Sequence, residues 1–431
     1  MAREMKDSGV EWIGEMPRTW KLSKIGQAYS ERRTKVSDRD YPPLSVTMKG
    51  ILPQLDTAAK TDAHDDRKLL CRGDFAINSR SDRRGACGIS QVDGSVSLIN
   101  IVLQPKAEMN SQYYEWVFHS TMFSDEFYKW GHGIVDDLWT TGWQDMKKIA
   151  IPAPKLQEQK RIAMFLNEQC SELDNILLKT RASIAEYKKL RQAVITQTVT
   201  QGVRGDREMK DTDNVRWGKI PFDWNLIKIK NCITDLKSGL SAVTSDEEAK
   251  ESGYYVLRTS AVSSGVFLSE EVKPVVTSVI NRLVCPVEKD TIVVSRMNTS
   301  AMVGTCAYVD NEYPNLFLPD KLWKIHIKKE YYTKFFWYVI NSVPARSLFA
   351  EISTGASMSM QNISVTDFIN NYVTVPPLDE QKEIAHYLDQ KCSAIDDLIA
   401  KKEKYLLEIE NYKKSLIYEY ATGKKEVPQE Y

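Results

Sequence analysis

Two long stretches of the chain combine a seven-residue repeat with the absence of helix breakers. Between Leu156 and Gly202, and again between Leu378 and Gly423, no glycine or proline interrupts the sequence. The repeat runs through two series of mostly apolar positions: Leu166, Leu173, Thr180, Tyr187 and Val194, then Leu388, Ile395, Lys402, Ile409 and Leu416. A second set of seam positions is assigned to Ile176, Leu190, Leu398, Tyr405 and Tyr412. This pattern predicts two helices of about 44 residues and about 65 Å that pair as a coiled coil and stop at the two glycines.

The segments before each helix have a different pattern. Short apolar or alternating runs at residues 99–103, Thr291–Ser295 and Leu322–Ile327 predict strands, and residues 113–118 and 332–340 predict helices. Each segment is therefore expected to be a compact α+β domain of about 150 residues, large enough for its own core. The predicted organisation has four parts: residues 1–155, 156–210, 211–378 and 379–431.

The two halves of the chain repeat each other. Pro17, Trp20, Leu22 and Ile25 recur 204 residues later as Pro221, Trp224, Leu226 and Ile229. Glu158-Gln159-Lys160 recurs 222 residues later as Glu380-Gln381-Lys382. An ordered series of identities indicates an internal duplication. If the two long helices pack antiparallel, the molecule gains a pseudo-two-fold axis with one globular domain at each end.

Composition narrows the class of protein. The 431 residues carry 58 basic and 58 acidic side chains, so the net charge is zero. Seven cysteines occur without a C-x-x-C pair, which favours free thiols in a reducing, cytoplasmic setting. The N-terminus has no apolar secretory segment, and no apolar run reaches the roughly 18 residues of a membrane-spanning helix.

Motifs that carry catalysis are missing from the sequence. It has no G-x-x-x-x-G-K-[ST] phosphate loop and no H-E-x-x-H zinc motif, and the five histidines are isolated. No bound metal is expected. This lack of a catalytic constellation favours a binding protein over an enzyme.

The duplicated plan resembles that of the specificity subunit of type I restriction–modification systems. The resemblance rests on the I-P-x-P-x-x-x-E-Q-K opening of the first long helix, its V-P-P-L-D-E-Q-K counterpart, and the tryptophan–proline–tryptophan opening of each domain. It implies two target recognition domains that each read one half of a bipartite, asymmetric DNA site. It also implies that the antiparallel coiled coil sets the gap between the halves.

The same resemblance implies partners for the chain. Two methyltransferase subunits and separate motor–nuclease subunits would join it on double-stranded DNA. These partners would use S-adenosylmethionine, ATP and Mg²⁺, while this chain would be non-catalytic, would bind no cofactor of its own and would not contact a membrane. The helix openings around Glu158 and Glu380 are a candidate docking region for the methyltransferase subunits.

One pair of candidate DNA-binding loops follows a predicted strand in each half. Arginine can read guanine and asparagine can read adenine, and small polar residues suit phosphates. The candidates are Arg80, Arg83 and Arg84 in the first half and Arg296, Asn298 and Ser300 in the second. The alternative is a solvated turn without a ligand.

A second pair of candidate loops precedes the long helices, beginning at Gly133 and Gly355. The first contains Trp139, Thr140, Thr141 and Gln144, and the second contains Ser357, Met358, Ser359, Gln361 and Asn362. The two loops occupy equivalent positions but differ in sequence. This suits two domains that recognise different bases. The alternative is that Trp139 and Met358 pack on the domain cores. Trp12, Trp20, Trp217 and Trp224 are assigned to the cores.

Two further basic segments are weaker candidates for DNA contact. They contain Arg32, Arg33 and Lys35 in the first half and Lys237 and Ser238 in the second. An ordinary charged surface explains them equally well. Since phosphate neutralisation supplies most non-specific affinity, a neutral chain needs its basic groups sorted onto one face or partners that supply phosphate contacts.

Two other functional classes are also compatible with the sequence. One is a stand-alone DNA-modifying enzyme whose site the spacing does not reveal. The other is a structural coiled-coil adaptor without a role on DNA.

Overall fold

A computed structural model describes residues 3–54, 64–106, 109–133, 139–241, 252–357 and 360–431. The chain forms two compact units. Unit 1 comprises Met1–Ala182 and Glu403–Tyr431, and unit 2 comprises Ser183–Lys402. Both mix helices and sheets, so the predicted α+β class is confirmed. Each long helix contributes to both units, whereas the predicted segments kept each helix whole.

The described part of unit 1 ahead of its long helix contains short strands and four short helices. The helices are α1 Ile25–Ala28, α2 Ser111–His119, α3 Thr121–Lys129 and α4 Trp143–Met146. The strands are β1 Met5–Asp7, β2 Glu15–Pro17, β3 Lys21–Lys24, β4 Tyr29–Glu31, β5 Lys35–Val36, β6 Leu44–Thr47, β7 Gly50–Pro53, β8 Arg67–Leu70, β9 Phe75–Asn78, β10 Cys87–Ile89, β11 Gly94–Val96, β12 Asn100–Pro105 and β13 Ala150–Ala153.

The central sheet of unit 1 has the strand order β10-β9-β12-β4, and every pairing is antiparallel. Helix α2 packs against β10. Buried aromatic rings fill the space between helices and sheet: the Phe75 and Phe118 centroids lie 4.8 Å apart, and those of Phe118 and Phe123 lie 4.7 Å apart. Truncating such a ring to alanine typically costs about 3–5 kcal/mol, so this cluster stabilises the sheet that carries the candidate loops.

Unit 2 has its own set of elements after the first long helix, α5 Leu156–Gln201. The short helices are α6 Ile229–Cys232, α7 Ser260–Ser263, α8 Thr333–Ile340, α9 Val343–Ile352 and α10 Val365–Ile369. The strands are β14 Met209–Asp211, β15 Lys219–Pro221, β16 Asn225–Lys228, β17 Ile233–Ser238, β18 Tyr255–Leu257, β19 Val272–Pro274, β20 Pro286–Val287, β21 Thr291–Ser295, β22 Met297–Asn298, β23 Cys306–Val309, β24 Tyr313–Phe317, β25 Leu322–Ile327, β26 Thr354–Ser357, β27 Met360–Asn362 and β28 Tyr372–Val375.

The central sheet of unit 2 repeats the plan of unit 1. Its order is β23-β21-β25-β17, again antiparallel, and α8 packs against β23 as α2 packs against β10. Strand β21 is fully buried, as its unbroken apolar centre indicates. In both units the central strand, β9 or β21, ends where a candidate loop begins. The predicted strands at Thr291–Ser295 and Leu322–Ile327 are confirmed.

The long helices end where the sequence predicts. The second is α11 Leu378–Ala421. Gly202 and Gly423 have φ angles of 79° and 78°, a left-handed conformation that glycine adopts without strain and that terminates helices.

One set of predicted seam positions is wrong. Ile176, Leu190, Leu398, Tyr405 and Tyr412 are exposed. The buried stripe of α5 instead places Cys170, Leu177 and Ile184 beside Leu166 and Leu173. Each of Cys170, Leu177 and Ile184 lies four positions after a residue of the first heptad series. The predicted seam residues were placed three positions after that series. Both spacings fall on one helix face, so the heptad alone does not select between them.

Within each unit, ion pairs join the α5 segment to the α11 segment. In unit 1 the residue number rises along one helix as it falls along the other, so the paired segments there run antiparallel. The pairs are Asp174–Lys413 (2.6 Å) and Arg181–Glu410 (2.5 Å) in unit 1, and Arg191–Asp396 (2.9 Å) in unit 2. Partly exposed pairs of this kind contribute under about 1 kcal/mol each, so the buried apolar stripe supplies most of the association.

The four tryptophans of the domain openings are buried as predicted. Trp12 and Trp217 are 4% exposed, and Trp20 and Trp224 are 1% and 0% exposed. The helix openings are also buried: Gln159, Glu380 and Gln381 lie at 5%, 0% and 1% exposure. These three side chains are therefore part of the packing inside each unit and do not form an exposed docking surface.

Candidate nucleic-acid interface

In unit 1 the two candidate loops form one continuous surface. The first follows β9 and the second precedes α4. Ser81 donates its backbone N–H to the carbonyl of Trp139 at 3.0 Å, and Arg80 forms a β-bridge with Thr140. These contacts place Arg80 beside the second loop, although 60 residues separate the two in sequence. Residues 134–138 of that loop lie outside the described residues.

Unit 2 brings the corresponding loops together in a more regular way. Strand β22 pairs antiparallel with β27, with Met297 opposite Asn362 and Asn298 opposite Gln361. The side chain of Arg296 donates from Nε to Oδ1 of Asn362 at 3.2 Å. Strand β26 extends this to a three-stranded sheet in which Ser357 is exposed. Met358 and Ser359 lie outside the described residues.

The arginines of the first loop differ in their surroundings. Arg80 is half-buried, and its backbone N–H donates to Oδ1 of Asn78 at 3.0 Å. Arg83 and Arg84 are exposed; Arg84 lies 3.5 Å from Asp125 and 5.3 Å above the ring of Tyr128. Exposed arginines with weak partners are free to exchange them for phosphates or base edges at little cost.

A cavity of about 680 Å³ opens beside this loop. It is lined by Ser81, Asp82, Arg84, Asp125, Tyr128, Lys129 and Trp139. The indole of Trp139 is half-buried and donates its N–H to the carbonyl of Tyr128 at 2.8 Å. Trp139 therefore packs on the domain and also lines the surface between the loops.

Two other residues of the second loop have distinct environments. Thr141 is fully buried, and its hydroxyl donates to the carbonyl of Phe127 at 2.8 Å. In this structure it fixes the loop and does not face solvent. Thr140 is half-buried, and Gln144 is exposed on α4.

The counterpart loop of unit 2 is held by partners on two sides. Arg296 is half-buried and lies 5.8 Å from the ring centroid of Trp323. Asn298 reaches the hydroxyl of Ser295 at 3.4 Å, and Ser300 lies half-buried in the turn that follows. These residues line the same edge of the sheet as Asn362.

The three basic side chains of the segment Arg32–Lys35 form ion pairs with acidic residues of unit 1. Arg32 donates to both carboxylate oxygens of Asp74, at 2.6 and 3.2 Å, and Asp74 is 2% exposed. This hydrogen bond raises the pKa of Arg32. Arg33 pairs with Glu31 at 2.6 Å and Lys35 with Asp66 at 2.5 Å. Since Asp74 immediately precedes β9, Arg32 supports the strand that carries the first loop.

The weaker candidates of unit 2 also have internal partners. Lys237 pairs with Asp235 at 2.9 Å, and Ser238 donates its hydroxyl to the carbonyl of Asp320 at 3.2 Å. Both residues are exposed at the end of β17. None of these contacts joins them to the loop that carries Arg296.

One residue at the interface was not found from the sequence. Arg346 on α9 donates to the carbonyls of Ala301 and Val303, in the turn after Ser300. Burial lowers the pKa of Arg346. No repeat or motif marks this arginine, so only the tertiary packing identifies its role in holding the turn.

A further sequence repeat lies ahead of the tryptophan-containing opening of each domain. Arg-Glu-Met-Lys-Asp occurs at residues 3–7 and again at residues 207–211, at the same offset of 204 as the prolines and tryptophans. Both copies end as an edge strand, β1 or β14, paired antiparallel with the strand that carries Pro17 or Pro221.

Other chemistry in the described parts of the chain is limited. No group of three or more histidine, cysteine or acidic side chains there could hold a metal ion. All seven cysteines are free thiols, and burial raises the pKa of Cys170 and of Cys392 to about 11. Among the described helices, none combines the length and the apolar character needed to cross a membrane.

Comparison with known families tests the resemblance. Residues 221–410 match the family described as the type I restriction modification DNA specificity domain. This part of the chain is therefore similar to the type I specificity domain. The matched region covers most of the fold of unit 2, including Arg296 and Asn362, and the resemblance inferred from the repeated motifs is confirmed.

Curated relatives carry the same family name. The chain is 27% identical over 282 residues to the type I restriction enzyme MjaVIII specificity subunit of Methanocaldococcus jannaschii, covering 64% of this chain and 62% of the relative. It is 24% identical over 271 residues to the EcoKI specificity subunit of Escherichia coli K12, covering 62% and 56%. The match thus spans about three fifths of the length of these relatives.

A solved structure shares the fold along nearly the whole chain. That chain comes from work on complex assembly and conformational transition of the type I R-M system. The TM-score is 0.70 at 12% identity, with 95% of this chain and 99% of the other covered. At this identity the likeness concerns the fold alone.

Proposed function

We propose that the chain is the sequence-specific DNA-binding subunit of a type I restriction–modification complex and is itself non-catalytic. One observation carries the proposal: each unit brings the same two loops together at the end of the same central strand, but with different side chains. Arg80 and Thr140 meet in unit 1, whereas Arg296 and Asn362 meet in unit 2. A repeated frame with variable contact residues suits the reading of two different half-sites.

The helices α5 and α11 give the proposal its second part. They would form one antiparallel coiled coil, with a pseudo-two-fold axis relating the recognition domains, and would set the gap between the half-sites. The buried stripe of α5 and the ion pairs between α5 and α11 within each unit support this arrangement. The exposed apolar side chains of Leu178 and Leu407, at 67% and 62% exposure, leave additional surface for partner helices.

The partners follow from the division of labour in such a complex. Two methyltransferase subunits would supply chemistry with S-adenosylmethionine, and motor–nuclease subunits would use ATP and Mg²⁺. The zero net charge of this chain, together with the internal pairing of Arg32, Arg33 and Lys35, supports a complex in which partners supply many phosphate contacts. The working site of the complex would be the cytoplasm, where the DNA lies.

A domain exchange tests the proposal. Residues 1–155 are replaced by the corresponding domain of another family member, and the chain is expressed with its methyltransferase partner. One half of the modified sequence should change while the other half and the gap stay the same. An unchanged modification pattern would refute the assignment of the recognition domains.

Tests on the purified chain and on its complex with the methyltransferase partner separate the two rival functions. A stand-alone DNA-modifying enzyme would modify or cut DNA as the purified chain, without partners. A structural adaptor would bind the partner proteins but retain no particular DNA sequence. The proposal predicts neither result: the purified chain should be inactive, and its complex should select one bipartite sequence.

A further inference from the structure

A glutamate in the first turn of α11 ties the helix to the entrance of unit 2. Oε2 of Glu380 accepts the indole N–H of Trp224 at 3.0 Å, and Arg207 donates to both oxygens of the same carboxylate. The guanidinium lies 5.8 Å from the indole centroid. Glu380 is fully buried, so a single buried charge joins the turn between β15 and β16, the segment just before β14, and the helix.

Unit 1 repeats this arrangement of arginine, tryptophan and glutamate. Oε2 of Glu158, in the first turn of α5, accepts the indole N–H of Trp20 at 2.8 Å, and Arg3 donates to Oε1. The guanidinium of Arg3 lies 5.2 Å from the indole centroid. We name each of these clusters a latch: Arg3–Trp20–Glu158 in unit 1 and Arg207–Trp224–Glu380 in unit 2.

The next residue of each helix adds a second tie. Oε1 of Gln381 accepts the backbone N–H of Tyr332, ahead of α8, at 2.9 Å, and its Nε2 donates to the carbonyl of Pro376 at 2.9 Å. Gln159 makes the same two bonds, to Asn110 ahead of α2 and to Pro154. Each helix is thus fixed to its recognition domain at two points, which leaves little freedom of rotation between them.

The end of the other long helix closes over each latch. A side chain at Gly202, after α5, would lie 2.8 Å from Oε1 of Glu380 and 3.2 Å from the ring of Trp224. A side chain at Gly423, after α11, would lie 2.8 Å from the ring of Trp20. Each latch therefore holds together a recognition domain, the start of one long helix and the end of the other.

The two latches differ in strength. Arg207 also donates to Asp223 at 2.7 Å, and the Glu380 side chain is completely shielded from solvent. The position equivalent to Asp223 in unit 1 is Thr19, which carries no carboxylate, and the Glu158 side chain is 28% exposed. Since solvent weakens charged contacts, the latch of unit 2 is the tighter one.

We infer that Glu158 and Glu380 are positioning residues that fix the angle between each recognition domain and the paired helices, and so set how strictly the complex measures the gap. The inference rests on the proposed function. A small rotation of a domain about its helix moves a distant loop by a length comparable with the base-pair rise of about 3.4 Å. A rigid junction rejects a gap that is one base pair too long, whereas a loose one accepts it.

The test uses the full-length chain assembled with its methyltransferase partner. Methylation is measured on duplexes that carry both half-sites at the native gap and at gaps one base pair shorter or longer. For Glu380→Ala we expect activity at the native gap within about threefold of wild type and discrimination between gaps reduced about tenfold, equal to about 1.4 kcal/mol. Glu380→Gln keeps an acceptor for Trp224 and should restore part of the discrimination.

Matched variants separate positioning from a general loss of structure. Glu383 lies one turn after Glu380 on α11 and forms an exposed ion pair with Arg204. The variant Glu383→Ala removes this pair and should leave the gap profile unchanged. Trp224→Phe keeps an aromatic ring but removes the indole N–H donor and part of the ring volume, and it should broaden the profile even if Glu380→Ala does not assemble. Glu158→Ala should have a smaller effect than Glu380→Ala.

The outcomes separate the positioning role of Glu380 from the proposed function of the chain. If Glu380→Ala and Trp224→Phe lower activity equally at all gaps, or leave the profile as narrow as in wild type, the positioning role is wrong although the proposed function stands. If the wild-type complex selects neither a half-site nor a gap, the proposed function is wrong and this inference with it.

Discussion

Arg296 donates from Nε to Oδ1 of Asn362 at 3.2 Å, which joins two loops of unit 2 that lie 66 residues apart in sequence. This hydrogen bond holds the guanidinium at the edge of the central sheet. It also occupies one side-chain acceptor of Asn362 and leaves its amide donors available for other partners. Arg296 and Asn362 can therefore present hydrogen-bond donors together to one base pair.

Arg296→Ala is expected to weaken recognition of one half-site only. Loss of a well-placed arginine contact with a base costs about 1–3 kcal/mol. Competition binding against duplexes altered in either half-site measures the effect. Arg282→Ala, an exposed arginine elsewhere in unit 2, serves as the control and should keep wild-type selectivity. Equal losses at both half-sites would contradict the assignment of Arg296 to one recognition surface.

Arg32 and Arg33 are neighbours with opposite expected roles. Arg32→Ala leaves the Asp74 carboxylate buried without its cationic partner, so we expect unit 1 to lose about 3–5 kcal/mol of unfolding free energy. The Arg33 side chain is 66% exposed, and Arg33→Ala should cost under about 1 kcal/mol. Urea unfolding of both variants measures the difference. Equal stability of the two variants would show that the Arg32–Asp74 pair does not support the sheet.

The sequence predicted the parts of the fold that have a regular period. The heptads and their glycine stops located α5 and α11 to within two residues, and continuous apolar runs located β21 and β25. The choice between three- and four-residue spacing failed at Ile176 and Leu190, because both spacings place a side chain on nearly the same helix face.

The candidate site was only partly predictable. Equal offsets in the two halves identified equivalent loops, but the contact of Arg296 with Asn362 depends on tertiary pairing between β22 and β27. The buried pair of Arg32 with Asp74 was equally hidden, since a basic segment has the same sequence pattern whether it faces solvent or a carboxylate. Arg346 has no counterpart in the repeat at all.

The stability of unit 1 should fall at mildly acidic pH because of His119. Burial lowers the pKa of His119 to about 4, so the folded unit holds it neutral while the unfolded chain takes up a proton below about pH 6.5. Stability is therefore lost progressively as the pH falls from about 6.5 to 4, by about 2 kcal/mol at pH 5. Chemical unfolding at pH 7 and pH 5 should show this loss in the wild type and not in His119→Gln. His386 is exposed, so the His386→Gln variant should still lose stability between pH 7 and pH 5, as the wild type does. If His386→Gln also abolished this loss, the assignment to His119 would be contradicted.

The length of the helices should set the gap. Four residues inserted into both α5 and α11, between positions 182 and 183 and between 402 and 403, add about 6 Å to the pair. This length is near two base-pair rises of about 3.4 Å each. The preferred gap should lengthen while both half-sites stay the same. A change in the half-sites at an unchanged gap would show that the helices do not act as the spacer.

The most direct test of the DNA-specificity role is the methylation pattern of the whole genome. A host that carries the chain and its methyltransferase partner is compared with a strain that lacks only this chain. We predict the loss of one bipartite motif from the second strain, which also gives both half-sites and the gap. Persistence of that same bipartite motif without this chain would contradict the account.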